Sequence, residues 1–475
     1  MRRQWYVVGD RQTAVNFYNQ ALSAFNDKAN PDHLKLAYGL FSSSCIADPT
    51  WAESHYQCGN NNSDLASSLA QPQAVLSSAI ACWRRALECN PEPSLRAKIM
   101  SNIGWRLHNI GQTAEALEFL EGATKLDPNL HLAWVSLSCL YQSLGRRSDM
   151  VRAAKLAYAL HPEDPLVEMQ LAFALLFDRQ LKEGFKHNEI RFKYKLKSYL
   201  QFPYPKWRGE ADKTVYLVAD QGLGDTLSFA RFVPALCSRA KYVHALIQPE
   251  LRRLFADAFV GIPNLNLIPQ PAPFPPADVW STFVSAPYVL DLSDQEIRDT
   301  PDISLPRMFI PKNWRVPDRK LHIGIAWAGS PLNDIDKHRN IPLQHFAELM
   351  RVPGVQLYSL QVGDRAREMS EAGFLPIIRD LTPQIRDVCD TMALLEHLDL
   401  VITCESALGH ICAAAGKECW VPYSKLGKDY RLGCLGDDRL WSPKHRIFNQ
   451  GADCKWEPVF VEIAEALREK IDAAT

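Results

Sequence analysis

The chain has 475 residues, 47% hydrophobic and 23% charged, which is typical of soluble globular proteins and long enough for about three domains. Its formal net charge of -1 gives no sign of the broad basic surface that holds a nucleic-acid duplex, but it does not exclude a local basic groove. The twelve cysteines include no C-x-x-C pair, the first residues contain no h-region of a secretion signal, and no apolar stretch approaches a membrane span. We therefore expect a cytoplasmic protein with reduced cysteines.

The first part of the chain repeats with a period of 34 residues. Gly111 recurs as Gly145, and Asp127-Pro128 recurs as His161-Pro162. This is the tetratricopeptide (TPR) period, in which each unit is a helix pair whose apolar face must be buried against the next unit. The repeat therefore predicts an α-helical solenoid over residues 1–200.

Two earlier units are irregular. Asp48-Pro49 and Asn90-Pro91 close them, and the polar run at 59–68 predicts an insertion. We count about four units, with a helix at 11–26 as a cap. The resemblance to the TPR family implies that the solenoid holds a protein or peptide, and a scaffold or dimerisation surface without a defined ligand is the alternative. Three tryptophans in the apolar pattern are interpreted as helix-packing residues, namely Trp83, Trp105 and Trp134.

A further helical stretch, residues 166–199, contains the basic run HNEIRFKYKLKSYL. We interpret this run as a solvated helix face rather than a nucleic-acid patch. Pro203 and Pro205 then end the helix and lead into a region of different pattern.

From Thr214 onward, short apolar strands alternate with helices. A first half, 205–314, opens with VYLVADQGLGDTLSFARFVP, which predicts a strand, a glycine-containing turn and a helix. A second half, 315–475, opens with LHIGIAWAG, again a strand followed by glycine, and closes with a helix. Two βαβ halves predict twin Rossmann-like α/β domains, with ligands bound at the carboxyl ends of the strands.

Residues 207–457 contain an ordered set of motifs, namely QGLGDTLSFARFVP, IGIAWAGSP, RNIPLQHFAEL, YSLQVG, DLVIT with SALGHICAAAG, and LWSPKHRIFNQ. This set resembles the bacterial glycosyltransferases of the heptosyltransferase group (glycosyltransferase family nine), in the branch fused to TPRs. The resemblance implies a GT-B fold, with the acceptor held mainly by the first half and the repeats, and a nucleotide sugar held mainly by the second half. It also implies inversion at the anomeric carbon without a metal. The acidic pairs nearest to a metal motif, Asp334-Ile335-Asp336 and Asp437-Asp438, are interpreted as exposed loop residues.

Asp225 is the predicted catalytic base. An inverting transfer is a single displacement, so one carboxylate that takes the acceptor proton suffices, and Asp225 matches the family's Gly-Asp position. Gln221, Gly222 and Gly224 form the acceptor-side loop, in which the glycines allow close approach to a ligand. Without the resemblance, the same loop is a tight turn with Asp225 as a helix N-cap.

The leaving nucleoside diphosphate must be met by backbone N–H groups or cationic side chains if no metal is present. The resemblance places the donor site in the second half, on Trp327, Gly329, Ser330, Arg339, Gln361, Glu405, Ser406, Ala407, His410, Lys428 and Arg431. A core-packed His410 and solvated cations are the alternatives. The chain departs from the family at Cys404-Glu405-Ser406, where Asp followed by Thr is usual, and at Tyr430 and Leu432, where two tryptophans are usual. These departures predict a changed sugar or nucleotide preference.

The leading hypothesis is an inverting, metal-independent glycosyltransferase that moves a hexosyl or pentosyl group to a protein side chain, a glycan or a modified base. The second is a non-catalytic TPR adaptor whose α/β part has lost turnover. The third is a sugar-nucleotide epimerase, with Glu405 as the second catalytic carboxylate.

Overall fold

The computed structural model describes residues 10–69, 73–194, 203–269, 275–303, 314–317, 321–330, 336–426, 428–436, 438–451 and 453–473. The chain divides into two compact units, one of Met1–Tyr141 with Arg152–Val167, the other of Gln142–Val151 with Glu168–Thr475. The predicted helical domain thus spans both units, and its predicted end near residue 200 lies outside the described residues. No helix in the described part of the chain has the length and apolar character needed to cross a lipid bilayer.

The described residues up to 194 form helices joined by short turns. The helices are α1 (Arg11–Asn26), α2 (His33–Ala47), α3 (Ala52–Ser67), α4 (Gln73–Glu88), α5 (Pro93–Asn109), α6 (Thr113–Leu126), α7 (His131–Ser143), α8 (Arg147–Leu160), α9 (Pro165–Phe177), α10 (Leu181–Asn188) and α11 (Arg191–Tyr194). α1 packs on α2, α3 on α4 and α5 on α6. Pro49, Pro91 and Pro128 each follow the second helix of one of these pairs, so the predicted solenoid of helix pairs is confirmed.

The polar run at 59–68 is not an insertion, and that prediction is wrong. All but its last residue lie in the second half of α3, where Asn61 and Asn62 are buried. A Cβ on Gly59 would collide with the indole of Trp83 on α4. The glycine therefore allows α3 and α4 to approach closely, and the polar residues are part of the helix interface.

The basic run is likewise not a fully solvated face. Arg191 is 2% exposed and pairs with Glu189 and Asp220, at 2.7 and 3.1 Å. Its guanidinium also donates to the hydroxyls of Thr282 and Ser285. Opposite charges and hydrogen bonds compensate the burial of this arginine, which ties α11 to the first half of the α/β region.

The first half of the α/β region contains a parallel four-stranded sheet in the order β3-β2-β1-β4. Its strands are β1 (Thr214–Val218), β2 (Tyr242–Ile247), β3 (Leu265–Pro269) and β4 (Val279–Thr282). Its helices are α12 (Leu223–Phe229), α13 (Val233–Arg239), α14 (Arg252–Ala258), α15 (Ala286–Val289) and α16 (Asp294–Asp299).

The second half contains a parallel six-stranded sheet in the order β10-β9-β8-β5-β6-β7, which is the 3-2-1-4-5-6 order of doubly wound folds read from the other edge. Its strands are β5 (Leu321–Ala326), β6 (Val355–Ser359), β7 (Arg379–Asp380), β8 (Leu400–Thr403), β9 (Cys419–Tyr423) and β10 (His445–Asn449). Its helices are α17 (Asp336–Arg339), α18 (Leu343–Glu348), α19 (Glu368–Glu371), α20 (Val388–Leu395), α21 (Ala407–Ala414) and α22 (Glu457–Ala473). The predicted α/β region with parallel sheets is confirmed, and β10 is a strand that the sequence analysis did not predict.

The two sheets share a hydrophobic core. One cluster of buried residues contains Val215 and Leu217 of β1 together with Val401 of β8 and Val421 of β9. A second cluster packs β5 and α18 against α22, with Phe460 and Ile323 among its members. Because the shared cluster joins the two halves, the loops that follow β1 and β8 can meet.

Candidate functional site

Asp225 is not the N-cap of its helix, the alternative considered from sequence; it lies in the first turn of α12, three residues after the N-cap. Gly222 is the N-cap, and its N–H donates to Asp225 Oδ2 at 3.0 Å. The other oxygen, Oδ1, lies 2.9 Å from Nη2 of Arg431. The carboxylate is 23% exposed, so it is fixed by its own helix start and by Arg431 while one part of it stays accessible.

Gly224 is buried against α21. A Cβ at this position would collide with the ring of His410 and lie 3.2 Å from the Cα of Ala407. The close approach that the glycine allows is therefore to His410, not to a ligand as predicted. His410 Nδ1 is 3.2 Å from the Ser228 hydroxyl, a second contact between α12 and α21. One helix from each half of the α/β region thus meets the other at this point.

Arg431 reaches the same point from a short 3-10 turn, Tyr430–Leu432. Its Nε and Nη2 lie 2.9 and 2.5 Å from the carboxylate of Asp429, whose Oδ2 is also 3.6 Å from His410 Nε2. Nη1 of Arg431 is buried and has no hydrogen-bond partner. Burial would raise the pKa of Asp429, but the charge of Arg431 and the hydrogen bonds with His410 and Arg431 outweigh it and hold that pKa below its usual value.

Asp429 was missed by the sequence analysis. It is buried, and it is the side chain that joins Arg431 to His410. Its place between two predicted donor cations in GKDYRL was the available signal, because a buried arginine requires a carboxylate partner.

Glu405 occupies the loop between β8 and α21 and is 8% exposed. Burial, followed by the negative charge of Asp429, raises the pKa of Glu405 to about 8, against the attraction of Arg339 and Arg431. Oε1 is 3.9 Å from Arg339 Nη1, and Oε2 has no hydrogen-bond partner. The Arg339 guanidinium packs over Gly329, where a Cβ would lie 2.5 Å from Nη2. Three predicted donor residues therefore lie together.

Two other predicted donor residues stabilise the turn after β5. The side-chain oxygen of Gln361 accepts from the backbone N–H groups of Trp327 and Ala328, at 3.0 and 2.9 Å. The Gln361 amide nitrogen donates to the Val362 carbonyl, and the buried Trp327 indole donates to Glu368. Because these groups are already engaged, Gln361 and Trp327 position the loop rather than offer atoms to a ligand.

The remaining predicted residues differ in accessibility. Ser406 and Ala407 begin α21, where unpaired backbone N–H groups favour an anion. Lys428 donates to the Cys434 carbonyl and lies 5.2 Å from the ring centroid of Tyr423, so it folds back on its own loop. Gln221 and Ser330 are exposed.

A cavity of about 10 Å³ lies beside His410 and Arg431, lined also by Ser228, Arg231 and Trp441. This volume holds about one water molecule. The two halves therefore leave little open space at this point.

The acidic residues considered as a metal motif have other partners where they are described. Asp438 is 2.9 Å from Arg179, 3.4 Å from Arg147 and 3.7 Å from Arg298. Asp334, Ile335 and Asp437 lie outside the described residues, as does the Asp336 side chain. In the part of the chain that is described, no group of three or more His, Cys, Asp or Glu side chains is arranged to hold a metal ion.

A cavity of about 400 Å³ lies in the helical unit and is lined by both polar and aromatic side chains. It is lined by Phe25, Gln57, Asn60, Ser63, Asp64, Trp83, Asn102, Trp105 and Arg106. Asn60 Oδ1 accepts from Asn102 Nδ2 at 2.9 Å and from Trp83 Nε1 at 3.1 Å. Trp83 is buried as predicted, whereas Trp105 is only half-buried and lines the cavity, so its interpretation as a packing residue is incomplete.

Comparisons with known proteins support the repeat. Residues 97–130, which cover most of α5 and α6, match the family model "Tetratricopeptide repeat". The protein FlbA of Caulobacter vibrioides is 25% identical over 435 residues, which cover 83% of this chain and 70% of FlbA. The first part of the chain thus contains a TPR within a TPR-like helical solenoid.

Solved TPR proteins align with about 40% of the chain at low overall similarity. MamA of Desulfovibrio magneticus RS-1 is 18% identical with a TM-score of 0.32 and is covered over 99% of its length. YrrB, described as a TPR protein with an unusual peptide-binding site, is 15% identical with a TM-score of 0.30 and is covered over 90%. TTC0263 of Thermus thermophilus is 17% identical with a TM-score of 0.32; the alignment covers 39% of this chain and 93% of TTC0263.

Proposed function

We propose that the chain is an inverting, metal-independent glycosyltransferase of GT-B architecture, which moves a sugar from a nucleotide donor to an acceptor. The observation that carries the proposal is the meeting of Asp225, His410 and Arg431, which come from three separate segments, in one cluster. A partly accessible carboxylate beside two cationic side chains suits a reaction that removes a proton on one side and releases a diphosphate on the other.

In this proposal Asp225 takes the proton of the acceptor hydroxyl while the oxygen of that hydroxyl attacks the anomeric carbon. The bond from that carbon to the diphosphate oxygen breaks in the same step, so the configuration inverts. The diphosphate is met by Arg431, by His410 and by the N–H groups at the start of α21. Because the diphosphate competes with Asp225 for Arg431, its binding frees Oδ1 of Asp225 for the acceptor.

The sheet architecture supports the GT-B assignment. The helices that follow β1 and β8, α12 and α21, carry Asp225 and His410, and both strands are central members of parallel sheets. Doubly wound sheets bind ligands at the carboxyl ends of such strands. The buried, unpartnered atoms Glu405 Oε2 and Arg431 Nη1 also favour a ligand site, since buried polar atoms are nearly always paired.

The helical unit is proposed to hold a partner protein. Its 400 Å³ cavity presents the amides of Asn60 and Asn102, an indole at Trp105 and the charges of Asp64 and Arg106. Amide and indole groups hydrogen-bond the backbone of an extended segment and pack on its side chains. Such a segment would bring a protein acceptor to the enzyme.

The test is a thermal-shift screen of the full-length protein against UDP-, GDP-, ADP- and dTDP-sugars, with and without EDTA. A ligand that binds the folded state raises the melting temperature by mass action. We expect one nucleotide class to do so, with no effect of EDTA, and we expect His410→Ala to remove the shift. His161→Ala, at a half-exposed position in the helical unit, is the matched control.

Release of nucleoside diphosphate from the stabilising sugar nucleotide then reports turnover. A shift that persists in His410→Ala would reject the assigned donor site. A protein that responds to none of the four classes would be better described as a non-catalytic TPR adaptor.

A further inference from the structure

Three cysteines converge between α2, α3 and α4, far from the residues of the proposed transfer reaction in sequence. The sulfur of Cys82 lies 3.5 Å from the sulfur of Cys58. Cys58 also hydrogen-bonds with Cys45, whose sulfur is 3.4 Å from the Ser54 hydroxyl. A disulfide requires a sulfur separation of about 2.05 Å, so Cys58 and Cys82 need to close by only about 1.5 Å.

The helix packing explains why these thiols meet. Gly59 follows Cys58, Trp83 follows Cys82, and the indole packs directly on the glycine. The indole nitrogen donates to the Tyr56 carbonyl and to Asn60, which fixes α4 against α3. The two preceding residues are therefore held opposite each other by contacts that do not involve sulfur.

We propose that Cys58 and Cys82 form an oxidation-sensitive thiol site, in which a hydroperoxide converts the pair into a disulfide. Cys82 is half-buried and is the sulfur that peroxide reaches, whereas Cys58 is 3% exposed.

The environment favours this division of roles. The hydrogen bond between Cys82 and Cys58 lowers the pKa of Cys82 although burial opposes it, and a hydrogen bond with Cys58, helped by His55, lowers the pKa of Cys45. The hydrogen bonds to its two neighbours raise the pKa of Cys58, so Cys58 keeps its proton. Thiolates react with peroxides and thiols do not, so oxidation begins at Cys82 rather than at Cys58.

The reaction balances in two steps. The Cys82 thiolate attacks one peroxide oxygen, the O–O bond breaks, and a sulfenic acid and hydroxide form. The Cys58 sulfur then attacks the Cys82 sulfur, the S–O bond breaks, and the departing hydroxide takes the Cys58 proton as water. Two thiols and one hydrogen peroxide thus give one disulfide and two waters.

The site adjoins the polar cavity of the helical unit. Asn60, two residues after Cys58, and Trp83, directly after Cys82, both line that cavity. Closing the two sulfurs pulls α4 along α3 and disturbs the contact of Trp83 with Asn60. Oxidation therefore changes the wall of the cavity proposed to hold a partner.

The test treats the full-length protein with one equivalent of hydrogen peroxide, blocks free thiols with N-ethylmaleimide and maps the disulfides by mass spectrometry. Trypsin leaves Cys45, Cys58 and Cys82 in one peptide, so chymotrypsin, which cleaves after Tyr56 and Leu65, is added to separate them. We expect a dithiothreitol-reversible link between Cys58 and Cys82, with a change in tryptophan fluorescence.

The variants separate the roles. Cys58→Ala is expected to leave Cys82 as a sulfenic acid that dimedone traps several-fold more than in the wild type. Cys139→Ala, on α7 of the same unit, is the control and should form the disulfide as the wild type does. The proposal is overturned if the folded wild-type protein links Cys45 instead, or if Cys58 and Cys82 oxidise no faster than Cys139.

Discussion

The guanidinium of Arg431 lies 2.9 Å from the carboxylate of Asp225 and 2.5 Å from that of Asp429. One cation is thus shared between a partly accessible carboxylate at the start of α12 and a buried one beside His410. A diphosphate that binds Arg431 displaces the accessible carboxylate more easily than the buried one, because Asp225 exchanges the contact for water. Because Asp225 is accessible and Asp429 is buried, we expect substitutions of Asp225, Asp429 and Arg431 to have different effects on stability and activity.

Replacement of Asp225 by Asn removes the proposed base with little change in shape. The Asn side-chain oxygen can still accept from the Gly222 N–H, but its amide nitrogen then faces the guanidinium of Arg431, so we expect the fold to be kept with a lowered melting temperature. The rate of nucleoside diphosphate release should fall by about 10²- to 10⁴-fold, the usual contribution of a general base. Asp291→Asn, at an exposed turn, is the control, and full activity of Asp225→Asn would contradict the assigned base.

Replacement of Arg431 by Gln should abolish the donor-dependent thermal shift. It also leaves Asp429 buried without its cation, so we expect a loss of about 3–5 kcal/mol in the free energy of unfolding. The double variant Arg431→Gln with Asp429→Asn should regain most of that stability, because the buried charge is gone, yet still fail to bind the donor. Arg446→Gln, exposed on β10, is the matched control. Donor binding by the double variant would refute the role of Arg431.

Gly224→Ala should lower stability although alanine is the better helix former. The new methyl group would collide with the His410 ring, and overpacking of this kind costs about 1–3 kcal/mol. Gly261→Ala, where no atom lies within 4 Å of the added Cβ, should stay within about 0.5 kcal/mol of the wild type. Urea unfolding measures the free energy of unfolding of both variants. Equal values for Gly224→Ala and Gly261→Ala would mean that α12 and α21 do not pack as described.

Glu405 should make stability depend on pH in a recognisable direction. Its pKa is raised to about 8 in the folded protein against a usual value of 4.5. Between these values the folded state holds a proton that the unfolded chain has released, so the free energy of unfolding falls as pH rises through this window, by up to about 1.4 kcal/mol per pH unit. Glu405→Gln has no such proton to lose.

The measurement is a urea titration of the wild type and of Glu405→Gln at pH 5, 6, 7 and 8. The stability of the wild type should decline with pH relative to that of the variant. A constant difference between the two proteins across the series would show that Glu405 is ionised in the folded state.

Most of the fold could be predicted because buried parallel strands have a strong local signal. β1, β2 and β5 are short and predominantly apolar, and glycine or polar residues follow them. The strand β10 was not predicted because it lies at the edge of the sheet and begins with two polar residues, the buried His445 and the exposed Arg446, a pattern that resembles a loop. The second half of α3 was interpreted as an insertion because its residues are polar. Its asparagines are hydrogen-bonded within a helix interface, which no local sequence pattern reveals.

The site was predictable in its parts but not in its arrangement. The position of Asp225 after a strand and that of His410 at a helix start follow from local pattern and family resemblance. That Ser228 contacts His410, or that Asp429 joins it to Arg431, depends on how two halves of the chain pack. Gln361 and Trp327 have the polar groups of ligand-binding residues, and only the structure shows that backbone and side-chain partners already engage them.

Asp438 has a consequence for how this protein could be recombined with others. Two of its three arginine partners, Arg147 and Arg179, precede the α/β region in sequence, and all three belong to the same compact unit. A chimera that grafts a foreign helical array at residue 205 would discard both and leave only Arg298, 3.7 Å away. A functional junction between foreign repeats and this α/β region therefore has to lie upstream of Arg147. An exchange of repeats in evolution would likewise have to keep the last helices together with the α/β region.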